Sequence, residues 1–168
     1  MNAHPTHTDP GLSYVFHRLH DDETALVAHL IKVGVEYHSE HEIDHVSRDL
    51  LVWSRDNLVQ IVDTAGRYKT GLNSDADIKT PLRLDASPST AVDGHPAAGL
   101  RLLEDLRTTF LLASATSLSW ELLVQHAQAR RESDILGLAR HCHPRTLRQM
   151  RWANTMLKTL APQTLTNL

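Results

Sequence analysis

Two groups of side chains have the types and spacing to do chemistry. The first is His38-Ser-Glu-His41-Glu-Ile-Asp-His45. His41 and His45 are i, i+4 and share one helical face, a spacing at which two imidazoles can hold a divalent ion. The chain carries 12 histidines, so metal binding has to be weighed. The plainer reading, a solvated interhelical turn rich in His and Glu, is favoured. The second group is Glu121 with His143. Counted from a turn near residues 130–133, each lies about ten residues, or about 15 Å, along its own helix. The apolar pattern turns both inward. A carboxylate beside an imidazole can be a metal half-site, an acid–base pair or a buried polar pin. An unpaired buried charge costs several kcal/mol or more, so Glu121 needs a partner. If the two interhelical turns share one end of the molecule, His38 joins the pair. The metal-ligand candidates are therefore Glu121, His143 and His38, with His41 and His45 second. A structural Glu–His hydrogen bond is favoured over a metal, so no cofactor is expected and a divalent metal is the alternative.

Other chemistry is thinner. Arg140, Arg145, Arg148 and Arg151, with Trp152 nearby, make the last helix locally basic; a solvated surface explains them better than an anion site. Cys142 lies between two histidines that could lower its thiol pKa if cationic. No nucleophile motif surrounds it, and a small half-buried residue is the expected role. The chain has no Gly-rich phosphate loop and no Cys-x-x-Cys. A formal charge of −3 gives no general reason to expect nucleic acid or an acidic membrane as partner. The first residues contain no secretory pattern, and Glu121, Gln125 and His126 end the longest apolar run short of a membrane span. A lone cysteine excludes an internal disulfide and fits a reducing cytosol.

The elements that must position these groups are helices. Residues 1–11 read as a disordered tail and 12–168 as one domain of ordinary single-domain length. Leu12 to Leu19 reads as a lead-in laying Tyr14 and Phe16 on the bundle. The first helix is expected to start at Asp21 or Asp22, with Glu23 at its positive end. It carries Leu26, Val27, Leu30, Ile31, Val33 and Tyr37 to about His38. Ser39 and Glu42 match a capping box for the second helix, whose inward face reads Ile43, Val46, Ser47, Leu50, Ser54, Asn57, Leu58, Ile61 and Ala65. That helix is expected to end near Thr70, before Gly71. Residues 72–96, with three prolines, form a long connection. The third helix, about residues 97–130, contains the most apolar stretch, Phe110 to Val124. Its expected inward face is Leu103, Leu106, Phe110, Ala113, Ser117, Glu121 and Val124. Ser133 is expected to cap the fourth, which faces inward through Ile135, Leu136, Ala139, His143, Leu147, Met150, Asn154 and Leu157. Pro144 removes a donor and clashes one turn back, predicting a kink there. Trp53, Trp120 and Trp152 fall off the central stripes, with Leu112, Leu122 and Leu123. They predict an apolar interface patch and a homodimer, unless the lead-in covers it.

Four helices with one long link make an all-α bundle. Over about residues 20–161 the order of helices resembles the ferritin-like superfamily. It is similar above all to small uncharacterised bacterial ferritin-like proteins. The segments carrying the likeness are Leu50-Leu-Val-Trp-Ser-Arg-Asp-Asn-Leu-Val-Gln-Ile61 and His141-Cys-His-Pro-Arg-Thr-Leu-Arg-Gln-Met-Arg-Trp-Ala-Asn154. The resemblance implies an antiparallel four-helix bundle. Di-iron members carry inward Glu and Glu-x-x-His ligands at mid-helix. Here the matching pair on the second helix is Ser54 and Asn57, and the fourth offers Leu147 and Met150. The one literal match, Glu42-Ile-Asp-His45, falls at a helix start. The expectation is a cytosolic, non-catalytic bundle that has lost di-iron ligands and acts through self-association or protein contacts. A metal-dependent enzyme or metal sensor using iron, manganese or zinc is the competing expectation.

Overall fold

The structure is a computed structural model and describes residues 9–72 and 98–167. Its elements are four helices in the order α1 (Pro10–Glu36), α2 (His41–Arg67), α3 (Ala98–Arg130) and α4 (Ser133–Thr166), with no strand among the described residues. All-α architecture is therefore observed. The expected connection and the tail as far as residue 8 lie outside the described residues, apart from Leu72, which is buried.

Helix α1 starts eleven residues before the expected Asp21, and the reason is local. Asp9 is its N-cap, accepting from the amides of Gly11 at 2.9 Å and Leu12 at 3.2 Å, and Pro10 needs no amide partner in the first turn. Pro10 and Gly11, read as tail, are thus helical, and the lead-in is part of α1. Its buried stripe runs unbroken through Leu12, Phe16, Leu19, Glu23, Leu26, Leu30 and Val33. Asp22 and Glu23 consequently stand mid-helix, not at a helix start.

Helix α2 has Glu40 at its cap position without a side-chain cap bond, so the Ser39–Glu42 capping box does not form. It stops at Arg67, short of Thr70, and Gly71 turns the chain with φ +79°. Between α3 and α4, Arg131 takes φ +58° while the Glu132 amide donates to the Ala127 carbonyl at 2.9 Å, closing the end of α3. The cap position of α4 is Glu132, not Ser133. Helix α4 is one span that continues across Pro144 and Pro162, so the helix is not interrupted at Pro144.

Helix α1 packs on α2 and α3, and α4 packs on the same two, which leaves α1 opposite α4 and α2 opposite α3. Numbers of touching partners run in opposite order. Asp9 reaches Arg130, Asp22 reaches Ser119, and Lys32 and Tyr37 reach Asp105. On the other side, Ser54 meets Gln149, Asn57 meets Arg145, and Arg67 approaches Asp134. Helix α2 ends beside the start of α1, where Ser13 donates to the Thr70 carbonyl. The α1–α2 turn and the α3–α4 turn therefore lie at opposite ends.

Three apolar clusters fill the interior. One gathers Phe16, Leu19, Ile61, Trp120, Leu123 and Ile135. A second gathers Leu26, Leu30, Leu50, Leu112 and Ala113, and a third Val33, Tyr37, Ile43, Leu106 and Met156. The inward face of α2 is largely the expected one. On α3 the expected Leu106, Ala113 and Ser117 are buried, but the buried face extends to one side of the expected stripe, and toward the α4 junction it is shifted by about one residue. Trp120 is fully buried in place of the expected Glu121, and Leu112 and Leu123 are core as well. On α4 the expected Ile135 and Ala139 are buried, and Leu138, Cys142, Thr146, Gln149, Ala153 and Met156, each adjacent to an expected residue, complete the face. Leu147 is exposed.

Candidate functional site

Between the first two apolar clusters lies a belt of polar side chains, one turn of each helix deep. Helix α1 contributes Glu23, between Leu19 and Leu26; α2 contributes Ser54 and Asn57, between Leu50 and Ile61; α4 contributes Thr146 and Gln149, beyond Cys142. Helix α3 adds Thr116 and Trp120. All seven are 0 % exposed, which sets them apart from ordinary polar residues, since carboxylates and amides are seldom fully buried without partners.

Hydrogen bonds fix the outer part of the belt. The Gln149 Nε2 donates to Ser54 Oγ at 2.8 Å and to the Leu50 carbonyl at 3.2 Å, tying α4 to α2. Arg145 donates to Asn57 Oδ1 at 3.1 Å and to Asp56, which also accepts from Gln60. Thr116 returns its hydroxyl to the Leu112 carbonyl. Next to Glu23, Asp22 accepts from Ser119 at 2.6 Å and pairs with Arg18.

The inner part is different. Both carboxyl oxygens of Glu23 lack a hydrogen-bond partner, and so do Asn57 Nδ2, Trp120 Nε1, Thr146 Oγ1 and Gln149 Oε1. Ser54, Asn57 and Trp120 stand close enough to favour its ionised form, yet none closes a hydrogen bond to it. Burial outweighs them and lifts the Glu23 carboxyl from 4.5 to about 7. Asp22 is raised by burial too, with Ser119 and Arg18 opposing. The Cys142 thiol is pushed up to about 12 by burial, which makes it an inert core residue. Asp56 is held low by Arg145.

The sequence candidates occupy other places. Glu121 Oε1 lies 3.9 Å from His143 Nδ1, so the two residues are neighbours as their counting from the turn implies. The expected burial fails, because Glu121 is 56 % exposed and points outward. His143 instead shares a 2.8 Å hydrogen bond with Ser117 Oγ, and burial lowers its pKa. His38 is exposed at the opposite end, bonded to the Val35 carbonyl, and cannot join them. His41 and His45 are exposed, their rings stacked at 5.8 Å. Among the described residues no three or more His, Cys, Asp or Glu side chains are grouped to hold a metal. The tryptophan patch is not on the surface: Trp120 is core, and Trp53 and Trp152 are half-buried against the second cluster, with Arg148 over the Trp53 ring at 5.9 Å.

Sequence reasoning missed Glu23 as a site because an acid pair with an apolar run behind it reads as a helix start. The signal was nevertheless present. Leu19, Glu23, Leu26 and Leu30 step by four, three and four, and Asp9-Pro10 offers an earlier cap. On α4 the belt pair is Thr146 and Gln149, one residue before the expected Leu147 and Met150.

The belt does not fit a pair of metal ions. It offers one carboxylate and no imidazole, where a di-iron centre draws on several of both. Comparison with protein families, with curated proteins and with solved structures finds no significant match for this chain. No described helix is long and apolar enough to cross a membrane.

Proposed function

We propose that this chain is an antiparallel bundle of the ferritin-like kind, with α4 kinked at Pro144, whose centre is a hydrogen-bonding belt in place of a metal centre. It acts without catalysis in the cytosol, through self-association or contacts with other proteins. The observation that carries this reading is the pair of i, i+3 positions, Ser54 with Asn57 on α2 and Thr146 with Gln149 on α4, all fully buried at mid-helix. In the di-iron bundles such pairs are Glu-x-x-His; here they are hydroxyls and amides. Polar cross-links of this kind set the register of the helices at some cost in stability. Exposed Leu118 and Leu122, one turn apart on α3, and Val52 and Val59 on α2 supply apolar surface for a partner.

Elemental analysis of protein purified without a histidine tag tests the first half. Near-stoichiometric iron, manganese or zinc overturns it. Light scattering at micromolar concentrations tests the second: a homodimer weakened by Leu118→Glu is expected, and a monomer throughout removes self-association.

A further inference from the structure

We propose that Glu23 is a proton-binding site in the middle of the bundle, and that its proton controls the junction of α2 with α4 at the Asn57–Arg145–Asp56 chain. The geometry supplies both ends of the device. At the inner end, a fully buried carboxyl faces the Asn57 amide, the Ser54 hydroxyl and the Trp120 indole N–H with none of them yet bonded to it. At the outer end, the other side of the same Asn57 amide accepts from Arg145, which also grips the half-exposed Asp56. Beyond lies a surface groove of about 340 Å³ between α2 and α4, lined in part by Gln60, which donates to Asp56, and by His141.

Charge decides the direction. With the proton on, Glu23 is neutral and needs no ring of donors, so Asn57 is free to serve Arg145. With the proton off, a carboxylate cut off from bulk solvent demands donors. Asn57 Nδ2 and Trp120 Nε1, otherwise idle, are the ones aimed at it. An amide drawn toward Glu23 carries its oxygen away from Arg145, which loosens the only bond the belt makes to the Arg145–Asp56 pair among the described residues. Gln149 holds Ser54 in place meanwhile, so the movement is confined to Asn57 and its neighbours.

Every helix of the bundle brings a group toward Glu23 or beside it. On α1 Asp22 opposes ionisation, but it is bonded to Ser119 and Arg18. On α4 the Cys142 thiol is near and stays neutral at ordinary pH, and Arg145 acts through Asn57. Helix α2 brings Asp56 at the far end of the chain, and α3 brings the indole of Trp120.

Carbon-13 NMR of side-chain carboxyls between about pH 5 and about pH 9 reads the site directly in the native protein. The Glu23 carboxyl is expected to titrate near neutrality, with the Trp120 indole and Asn57 amide signals moving at the same midpoint and the Asp56 carboxyl following them. Glu23→Gln should remove that shared midpoint from all three. Arg145→Gln should keep it at Glu23 and Trp120 and remove it from Asp56. Titration of Glu23 in the ordinary carboxylate range overturns the proton site. Titration near neutrality with Asn57 and Asp56 unmoved overturns the coupling, and this measurement needs no variant to fold.

Discussion

Replacing Glu23 by Gln should make this protein more stable at alkaline pH, an outcome opposite to that of most core substitutions. Gln has the same length and volume and cannot ionise. In the folded state burial holds the Glu23 carboxyl near 7, against 4.5 for an unhindered one. The folded form therefore binds the proton more tightly than the unfolded chain. The stability this provides is fully present below about pH 4.5 and is lost as pH rises through about 7. The displacement corresponds to about 3 kcal/mol, a sizeable part of the ~5–15 kcal/mol that holds a domain together. Asp22 contributes in the same direction, its carboxyl also being raised. His29 and His143, lowered by burial, work oppositely, losing stability as pH falls below 6.5. The difference between wild type and variant cancels these other groups. Urea unfolding at a series of pH values should give curves that diverge above neutrality, with Glu23→Gln ahead by up to about 3 kcal/mol at the alkaline end. Parallel curves, or a variant less stable than wild type at about pH 8, would refute the argument that Glu23 is a buried acid whose ionised form the fold disfavours.

Asp9→Ala should cost about 1–2 kcal/mol in thermal unfolding, because Asp9 caps α1 and also binds Arg130 and His126. Asp9 keeps its charge until pH falls to about 2, so acidifying to about pH 4 should leave that cost in place. Glu121→Ala should change stability by less than about 0.5 kcal/mol, since the side chain is exposed, whereas His143→Ala loses the Ser117 bond and should cost about 1 kcal/mol; chemical denaturation separates the two. Gly137→Ala should stabilise α4 by about 0.5–1 kcal/mol, because an added Cβ meets nothing within 4 Å; an unchanged or lower melting temperature would count against that local geometry.

The sequence by itself determined that this chain is helical, where three of its four helices lie, and which side of α2 is buried. Helix α2 alternates charged and apolar residues with a clear 3.6 period, so Ile43, Leu50, Ser54, Asn57 and Ile61 face inward whatever packs on them. Helix α3 gives no such contrast. From Phe110 to Val124 it is apolar or small-polar on nearly every side, with Glu121 its one charge, so its rotation is set by its neighbours. Packing puts the bulk of Trp120 between α1 and α4, and the adjacent Glu121 is thereby turned to solvent. The same one-residue step on α4 moves His143 and Leu147 off the core and brings Cys142, Thr146 and Gln149 in. Only the tertiary structure could decide that Glu23 is a buried acid. Its status depends on residues of other helices, among them Ser54, Asn57 and Trp120, laid against it. Periodicity marks a stripe along one helix, but burial is a property of the surfaces laid against that stripe.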